Sequence, residues 1–368
     1  MKTITNNVMV LDRGHYTTCT INFHGATVVS WRIRNLEQIF VSRETVLDNK
    51  KIIRGGISFV FPQFGPWNFG PQHGFTRIMR WKLEKPPTRL DSGDVEVIFS
   101  LTDDDFTRSM WNYPFRLLYR VTLLETELHF DITVKNLGKK LPFRFNLLLH
   151  TFLKVPDIKE CKIIGLQEKP VEQENDIDRA KEDEEQEKND EEEKNTKEEI
   201  NNNKEEVEEK GNEGEKDEEG REAALKWLDE EEGEYEQEIM QDEMYEDTAS
   251  YLRSVTSSTI TDDGIVTIQK CTETLYPNTE DEHEIEHVID NKTMIMQKRS
   301  LPDTLLWNPW FECSKDVPDF GNDEYVKMLC LKTGRIVKPV RLQPGQEYSA
   351  GLILKHKGCE TNPMYLFW

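Results

Sequence analysis

The sequence predicts an all-β fold in which antiparallel strands form a sandwich or a barrel. Short segments rich in β-branched and aromatic residues alternate between polar and apolar positions, and they occur on both sides of a long acidic stretch. No segment before residue 168 keeps the 3.6-residue period of an amphipathic helix. Repeated short strands without intervening helices favour the sandwich and barrel classes.

The predicted strands form an N-terminal and a C-terminal set. The N-terminal set begins with two alternating runs in residues 16–33, which Gly25 separates, and continues with residues 95–101, 115–124, 128–134 and 143–152. The C-terminal set comprises residues 264–271, 293–297, 328–334 and 349–354. Neither set alone supplies a full sandwich. We therefore expect one β-domain made of residues 1–167 and 251–368.

An acidic segment, residues 168–250, interrupts this domain. It holds about 37 of the 70 acidic and about 11 of the 47 basic residues, which leaves the rest of the chain close to neutral. Runs of acidic residues bury too little apolar surface to offset the entropy of ordering, so we predict that residues 168 to about 220 are disordered. Residues 221–247 carry enough apolar side chains for a weak amphipathic helix, either solvated or docked on the domain or on a protein partner.

Composition excludes several classes of protein. The near-neutral domain offers no basic surface for nucleic acid. No apolar run approaches the roughly 18 residues of a membrane span, and the first residues lead into no signal-peptide core. The six cysteines are scattered without a C-x-x-C pair, which argues against a zinc ribbon and against a disulfide framework. We expect a cytoplasmic monomer.

The most informative stretch is a loop rich in glycine, proline and aromatic residues, 53–77. Its glycines and prolines make a stiff scaffold, which leaves Arg54, Gln72, His73 and Arg77 as its polar groups. Two arginines suit an anionic ligand, because a guanidinium group offers a planar fork of donors to phosphate or carboxylate. On composition alone, a structural loop with surface arginines explains the stretch equally well.

Three motifs in this loop resemble the signature of the glucose-6-phosphate 1-epimerases, which are hexose-phosphate mutarotases of the galactose mutarotase-like group. They are Arg54-Gly-Gly-Ile, Phe61-Pro-Gln-Phe-Gly and Gln72-His-Gly-Phe-Thr-Arg. Further matches follow in family order at residues 146–155, 307–310, 319–321 and 342–345. The resemblance covers roughly residues 10–167 and 260–356. It implies a galactose mutarotase-like antiparallel β-sandwich with the acidic segment as an insert.

The activity implied by this resemblance is interconversion of the α and β anomers of a hexose 6-phosphate, without a cofactor. An acid protonates the ring oxygen and a base removes the anomeric hydroxyl proton, so the ring opens and can close on its other face. By resemblance, His150 is the acid, Arg54 and Arg77 grip the phosphate, and Gln72 and His73 also bind the substrate. From the residues alone, His150 fits a buried core histidine better than a catalytic one.

Two positions depart from the family pattern. The family's glutamate base lies in a Cys-Val-Glu-x-Gly stretch, which here reads Cys330-Leu-Lys-Thr-Gly, so Lys332 occupies the base position. A lysine is ordinarily protonated and does not accept a proton. The family's sugar-binding aspartate becomes Glu273. The alternative to an active enzyme is a catalytically silent hexose-phosphate-binding protein. A carboxylate such as Glu273 or Glu312 opposite His150 would distinguish the two.

One further match points to a different class of enzyme. His283-Glu-Ile-Glu-His287 fits H-E-x-x-H, in which two histidines on one face of a helix bind zinc. The neighbouring residues are strongly charged and offer no apolar helical face. A chance match explains the string better, and we expect no metal site.

Overall fold

The computed structural model describes residues 3–4, 7–167, 244, 248, 250–252 and 264–357. By its contacts the chain divides into two compact units, Met1–Glu168 with Met244–Trp368, and Lys169–Glu243. Only the first unit contains described residues. The predicted disorder of residues 168–220 therefore lies outside the described residues, and so does the predicted helix at 221–247 apart from Met244. The backbone of Met244, Thr248 and residues 250–252 is helical.

Two antiparallel sheets make up the described chain, with strands numbered along the sequence. The first sheet contains, in spatial order, β1 (Thr3–Ile4), β2 (Val8–Gly14), β3 (Thr17–Asn22), β4 (Thr27–Ile33), β6 (Ile57–Val60), β11 (Phe143–Lys154), β18 (Met328–Leu342), β17 (Asp303–Asn308) and β14 (Thr272–Tyr276), and β5 (Leu36–Glu37) pairs with β4. The second contains β13 (Ile265–Val266), β12 (Lys162–Ile164), β15 (Glu282–Val288), β16 (Lys292–Arg299), β19 (Glu347–His356), β10 (Glu127–Asn136), β9 (Phe115–Leu123), β8 (Val95–Thr102) and β7 (Lys82–Arg89).

Apart from the helical residues 244, 248 and 250–252, helices are few and short in the part of the chain that the structure describes. Helix α1 (Asp105–Arg108) and helix α2 (Trp310–Ser314) have one turn each, and two 3-10 turns lie at Ile289–Asn291 and Glu324–Lys327. The all-β antiparallel prediction is therefore confirmed. None of the described helices is long and apolar enough to span a membrane.

The core lies between the two sheets and is rich in aromatic side chains. Strand β9 shows the period-2 alternation that builds it, because Phe115, Leu117 and Tyr119 all point inward and are fully buried. The ring of Phe59 in β6 contacts Trp81 edge-on with ring centroids 5.7 Å apart. Burying each such side chain stabilises the fold by about 1.5–3 kcal/mol relative to leaving it in water.

Strand bounds differ from the predictions where the pattern is weak. The run at residues 264–271 forms only the two-residue strand β13, and pairing resumes at β14. Strand β15 carries the H-E-x-x-H string, so His283 and His287 do not share a helical face, and the zinc pattern lacks its structural context. Among the residues that the structure describes, no cluster of three metal-ligating side chains is present.

One disulfide, Cys271–Cys313, joins the chain just before β14 to α2. The Cα atoms of the two cysteines lie 6.2 Å apart, a separation that a disulfide bridges, although 42 residues separate them in sequence. Cysteine spacing did not predict this pair, because spacing carries no information about which distant segments the fold brings together.

Candidate active site

The candidate site lies on the outer face of the first sheet, opposite the core. In β11, Leu147 and Leu149 face the core, so alternation turns His150 outward. Antiparallel pairing places His150 directly between Ser58 of β6 and Lys332 of β18. The acid position and the base position of the resemblance are therefore cross-strand neighbours.

His150 is almost completely buried, with 4% of its surface exposed. Its Nε2 atom has no hydrogen-bond partner among the described residues. Burial lowers the pKa of His150 well below its usual value, and the positive charge of Lys332, followed by His73, Arg77 and Arg54, lowers this pKa further. The side chain is therefore a neutral imidazole in the unliganded protein at neutral pH, and its buried nitrogen lacks the partner that such groups normally have.

His73 packs beside His150, with ring centroids 5.1 Å apart. Two hydrogen bonds tie His73 to Gly65: the Gly65 amide donates to His73 Nδ1, and the His73 amide donates to the Gly65 carbonyl oxygen, both at 2.9 Å. Because Nδ1 accepts, the neutral ring carries its proton on Nε2. Burial lowers the pKa of His73 well below its usual value, and the charge of Arg77 adds to this effect.

The two predicted phosphate ligands form the electropositive end of the site. Arg54 Nε donates to Asp319 Oδ1 at 2.9 Å. Arg77 is buried, its Nη2 donates to the carbonyl oxygen of Gln72 at 2.7 Å, and its Nε has no partner among the described residues. Burial and the charge of Arg54 lower the pKa of Arg77 to about 9, against a smaller opposite effect of Asp319. Asp319 is bonded to Arg54 and acts on Arg77 only through its charge.

Gln72 contacts the arginine end of the site through its main chain, and no contact of its side chain with this end is described. Its side chain is exposed, and the contact with Arg77 is made by its carbonyl oxygen. The other carboxylate considered from the sequence, Glu312, lies exposed on α2.

The other end of the site is a bonded group of three side chains. Lys332 Nζ donates to Glu273 Oε1 at 3.1 Å, and Tyr251 Oη donates to the same oxygen at 2.7 Å. The ammonium group of Lys332 also lies over the rings of Phe64 and Trp307, 5.6 and 5.8 Å from their centroids. Lys332 is nearly buried, whereas the Glu273 side chain keeps 32% of its surface exposed.

Tyr251 comes from the chain next to the acidic insert, and sequence reasoning assigned it no role. Its ring packs against Gly65, where an added Cβ would approach the ring to 2.9 Å. Thr248 anchors the same segment, because Gln63 Nε2 donates to its hydroxyl at 2.6 Å and that hydroxyl donates to the Phe64 carbonyl oxygen at 3.0 Å. The only available signal was a Tyr-Leu pair at the end of a charged run.

Histidines, cations and a carboxylate thus gather on the outer face of one sheet of a two-sheet β-sandwich. The family described as Aldose 1-epimerase matches residues 7–233 and 239–355, so the chain belongs to that family.

Two relatives carry a related name, and one solved structure shares the fold. A Cenchrus ciliaris protein named "Putative glucose-6-phosphate 1-epimerase" is 25% identical over 363 residues, covering 96% of this chain and 86% of that protein. An Escherichia coli K12 protein of the same name is 31% identical over 155 residues, covering 41% of this chain and 50% of that protein. A Salmonella typhimurium crystal structure titled as a "putative mutarotase" superposes with a TM-score of 0.66 at 18% identity, covering 96% of this chain and 92% of that one.

Proposed function

We propose that this protein interconverts the α and β anomers of a hexose 6-phosphate. The excess positive charge at one end of the site carries the proposal. Arg77 is buried with its Nε unpartnered among the described residues, and the nearby carboxylate of Asp319 is bonded to Arg54. A buried guanidinium without full pairing is costly, and a phosphate group supplies both the charge and the acceptor oxygens that this end lacks. The names of the two curated relatives support the same substrate class.

In the proposed reaction His150 protonates the ring oxygen. Burial lowers the pKa of His150 most, the charge of Lys332 comes next, and Arg77 and Arg54, which would bind the phosphate, add to the effect. A bound phosphate dianion would offset the contribution of the two arginines and so raise the pKa of His150 toward the imidazolium form. Substrate binding would thus prepare the acid. His73, whose Nε2 carries the proton in the neutral ring, is placed to donate to a sugar hydroxyl.

A second candidate function is binding of a hexose phosphate without catalysis. The observation that favours it is the cross-strand pair of His150 and Lys332, because this register puts a lysine where the family resemblance expects a glutamate base. Without a proton acceptor the phosphate end would still bind its ligand, but ring opening would proceed no faster than in water.

Anomer exchange of glucose 6-phosphate, measured by two-dimensional exchange NMR, tests the proposal. We expect exchange faster than in buffer with the purified protein, and the buffer rate with His150→Asn. Glucose without phosphate should exchange more slowly at equal concentration. Exchange at the buffer rate with ligand-induced shifts in the protein would establish the silent binding protein instead. Absence of both exchange and shifts would overturn both candidate functions.

A further inference from the structure

We infer that Glu273 is the proton acceptor of this site, and that Tyr251 and Lys332 hold its carboxylate in position. The inference rests on the proposed function, since it assigns the base of that reaction. It moves the base from β18, where the family resemblance puts it, to β14. It also makes the chain at the end of the acidic insert a part of the active site.

The strand register places Glu273 on the same face as His150. Glu273 pairs with Trp307, and Trp307 pairs with Cys330, which is two residues before Lys332 along β18. Residues two apart on a strand share a face, so His150, Lys332 and Glu273 all point outward. Three strand spacings of about 4.8 Å separate the backbones of β11 and β14, roughly 14 Å in total, and Lys332 projects from the intervening strand β18.

Burial decides which of the two polar groups can meet a ligand. The Lys332 side chain is 6% exposed and lies behind Glu273, which is 32% exposed. Lys332 Nζ donates to the carboxylate and faces the rings of Phe64 and Trp307. In this arrangement the carboxylate is the proton-accepting group of the pair, and it is the more exposed of the two.

Tyr251 fixes the carboxylate from the opposite direction. Its hydroxyl donates to Oε1, the same oxygen that accepts from Lys332. Two donors on one oxygen restrict the rotation of the Glu273 side chain. A base needs such a fixed position in order to meet a hydroxyl at hydrogen-bond distance. The Tyr251 ring is itself held against Gly65, and Thr248, three residues earlier, is bonded to Gln63 and Phe64.

The proposed step balances without any other reactant. Glu273 takes the proton of the anomeric hydroxyl, the bond between C1 and the ring oxygen breaks, and the ring oxygen takes the proton of the His150 imidazolium. The open-chain aldehyde then rotates about its C1–C2 bond. On reclosure, the ring-oxygen hydroxyl returns its proton to His150, and Glu273 returns its proton to the new anomeric oxygen.

Moving the carboxylate back to β18 tests this inference. Glu273→Gln should lower kcat for anomer exchange of glucose 6-phosphate by about 100-fold or more while ligand binding persists. The double variant Glu273→Gln with Lys332→Glu restores a carboxylate at the family position without pairing two carboxylates. We expect it to recover at least about 10-fold of the lost rate. Glu312→Gln, on the surface helix α2, is the matched control and should leave the rate unchanged.

Tyr251→Phe tests the positioning role, because it removes the hydroxyl and keeps the ring. We expect kcat to fall about 3- to 10-fold with KM unchanged. In the double variant, where the base no longer sits on β14, the same Tyr251→Phe change should have no effect on kcat. A residue that only stabilised the fold would act equally in both backgrounds.

The outcomes separate this inference from the proposed function. An active protein in which Glu273→Gln keeps its rate overturns the inference and leaves the function standing. A Tyr251→Phe effect of the same size in both backgrounds overturns the positioning role. An unmodified protein that exchanges anomers only at the buffer rate overturns the function and the inference together. Circular dichroism of each variant checks that the fold is kept.

Discussion

The two ends of the site differ in how well their polar groups are satisfied in the unliganded protein. At the phosphate end, His150 Nε2 and Arg77 Nε are buried and have no partner among the described residues. At the other end, Lys332 and Tyr251 both donate to Glu273. The first end therefore contains a buried donor, Arg77 Nε, that a ligand can engage, whereas the polar groups of the second end are bonded to one another.

This difference separates ligand binding from catalysis in physical terms. Unpartnered buried donors cost roughly 1–3 kcal/mol each, a cost that a bound anion removes, so the phosphate end contributes affinity. The bonded end gains little from a ligand but fixes the position of one carboxylate, which matters for a proton transfer. The family motifs coincide with the phosphate end, and both departures from the family pattern fall at the bonded end.

The largest expected effect concerns affinity at the phosphate end. Arg77→Gln should weaken binding of glucose 6-phosphate about 30- to 100-fold, because a charge-assisted contact to phosphate is worth about 2–3 kcal/mol. Titration calorimetry measures this change. Arg108→Gln, at an exposed arginine paired with Asp103, is the control. Equal affinities of Arg77→Gln and the unmodified protein would mean that the phosphate binds elsewhere.

Substitutions at the two ends of the site should change the free energy of unfolding in opposite directions. Glu273→Ala should lower the free energy of unfolding by about 1–2 kcal/mol, because it leaves the buried Lys332 without its carboxylate. Arg77→Met should raise it, since a buried and incompletely paired cation is replaced by an apolar side chain. Urea unfolding without ligand measures both. If Arg77→Met is the more destabilising of the two, the contrast between an incompletely paired phosphate end and a bonded end is wrong.

His150 should also contribute to the pH dependence of stability, together with the other buried histidines whose pKa values are lowered, His73, His283 and His356. The pKa of His150 lies well below 6.5 in the folded protein and returns to about 6.5 in the unfolded chain. Between these values the unfolded state binds more protons, so stability is retained above about pH 6.5 and falls as the pH is lowered below it. His150→Asn should reduce this loss by about 1 kcal/mol at pH 5.5. An unchanged pH profile in urea titrations would contradict the buried neutral imidazole.

The smallest expected effect is proton uptake on binding. If phosphate raises the pKa of His150, binding of glucose 6-phosphate at pH 7 should take up a fraction of a proton. Calorimetry in two buffers of different ionisation enthalpy measures this fraction. Comparison with His150→Asn cancels the contribution of the ligand's own phosphate. Equal uptake by the two proteins would show that His150 does not become charged.

The sequence predicted some features of this site better than others. Arg54, His73 and Arg77 fall within one loop, and their grouping follows from a short stiff segment. His150 was placed by resemblance, and alternation along β11 explains its outward direction. The cross-strand pair of His150 and Lys332 depends on the register of two distant strands, which local pattern does not set.

The sequence by itself determined the all-β class, the family and the cationic loop, because period-2 alternation and a compact motif are local properties of the chain. Only the tertiary structure decided that Glu273 from β14 and Tyr251 from beside the insert meet over Lys332, and that Cys271 pairs with Cys313. Such contacts join segments far apart in sequence, and their geometry follows from strand order and register rather than from residue type.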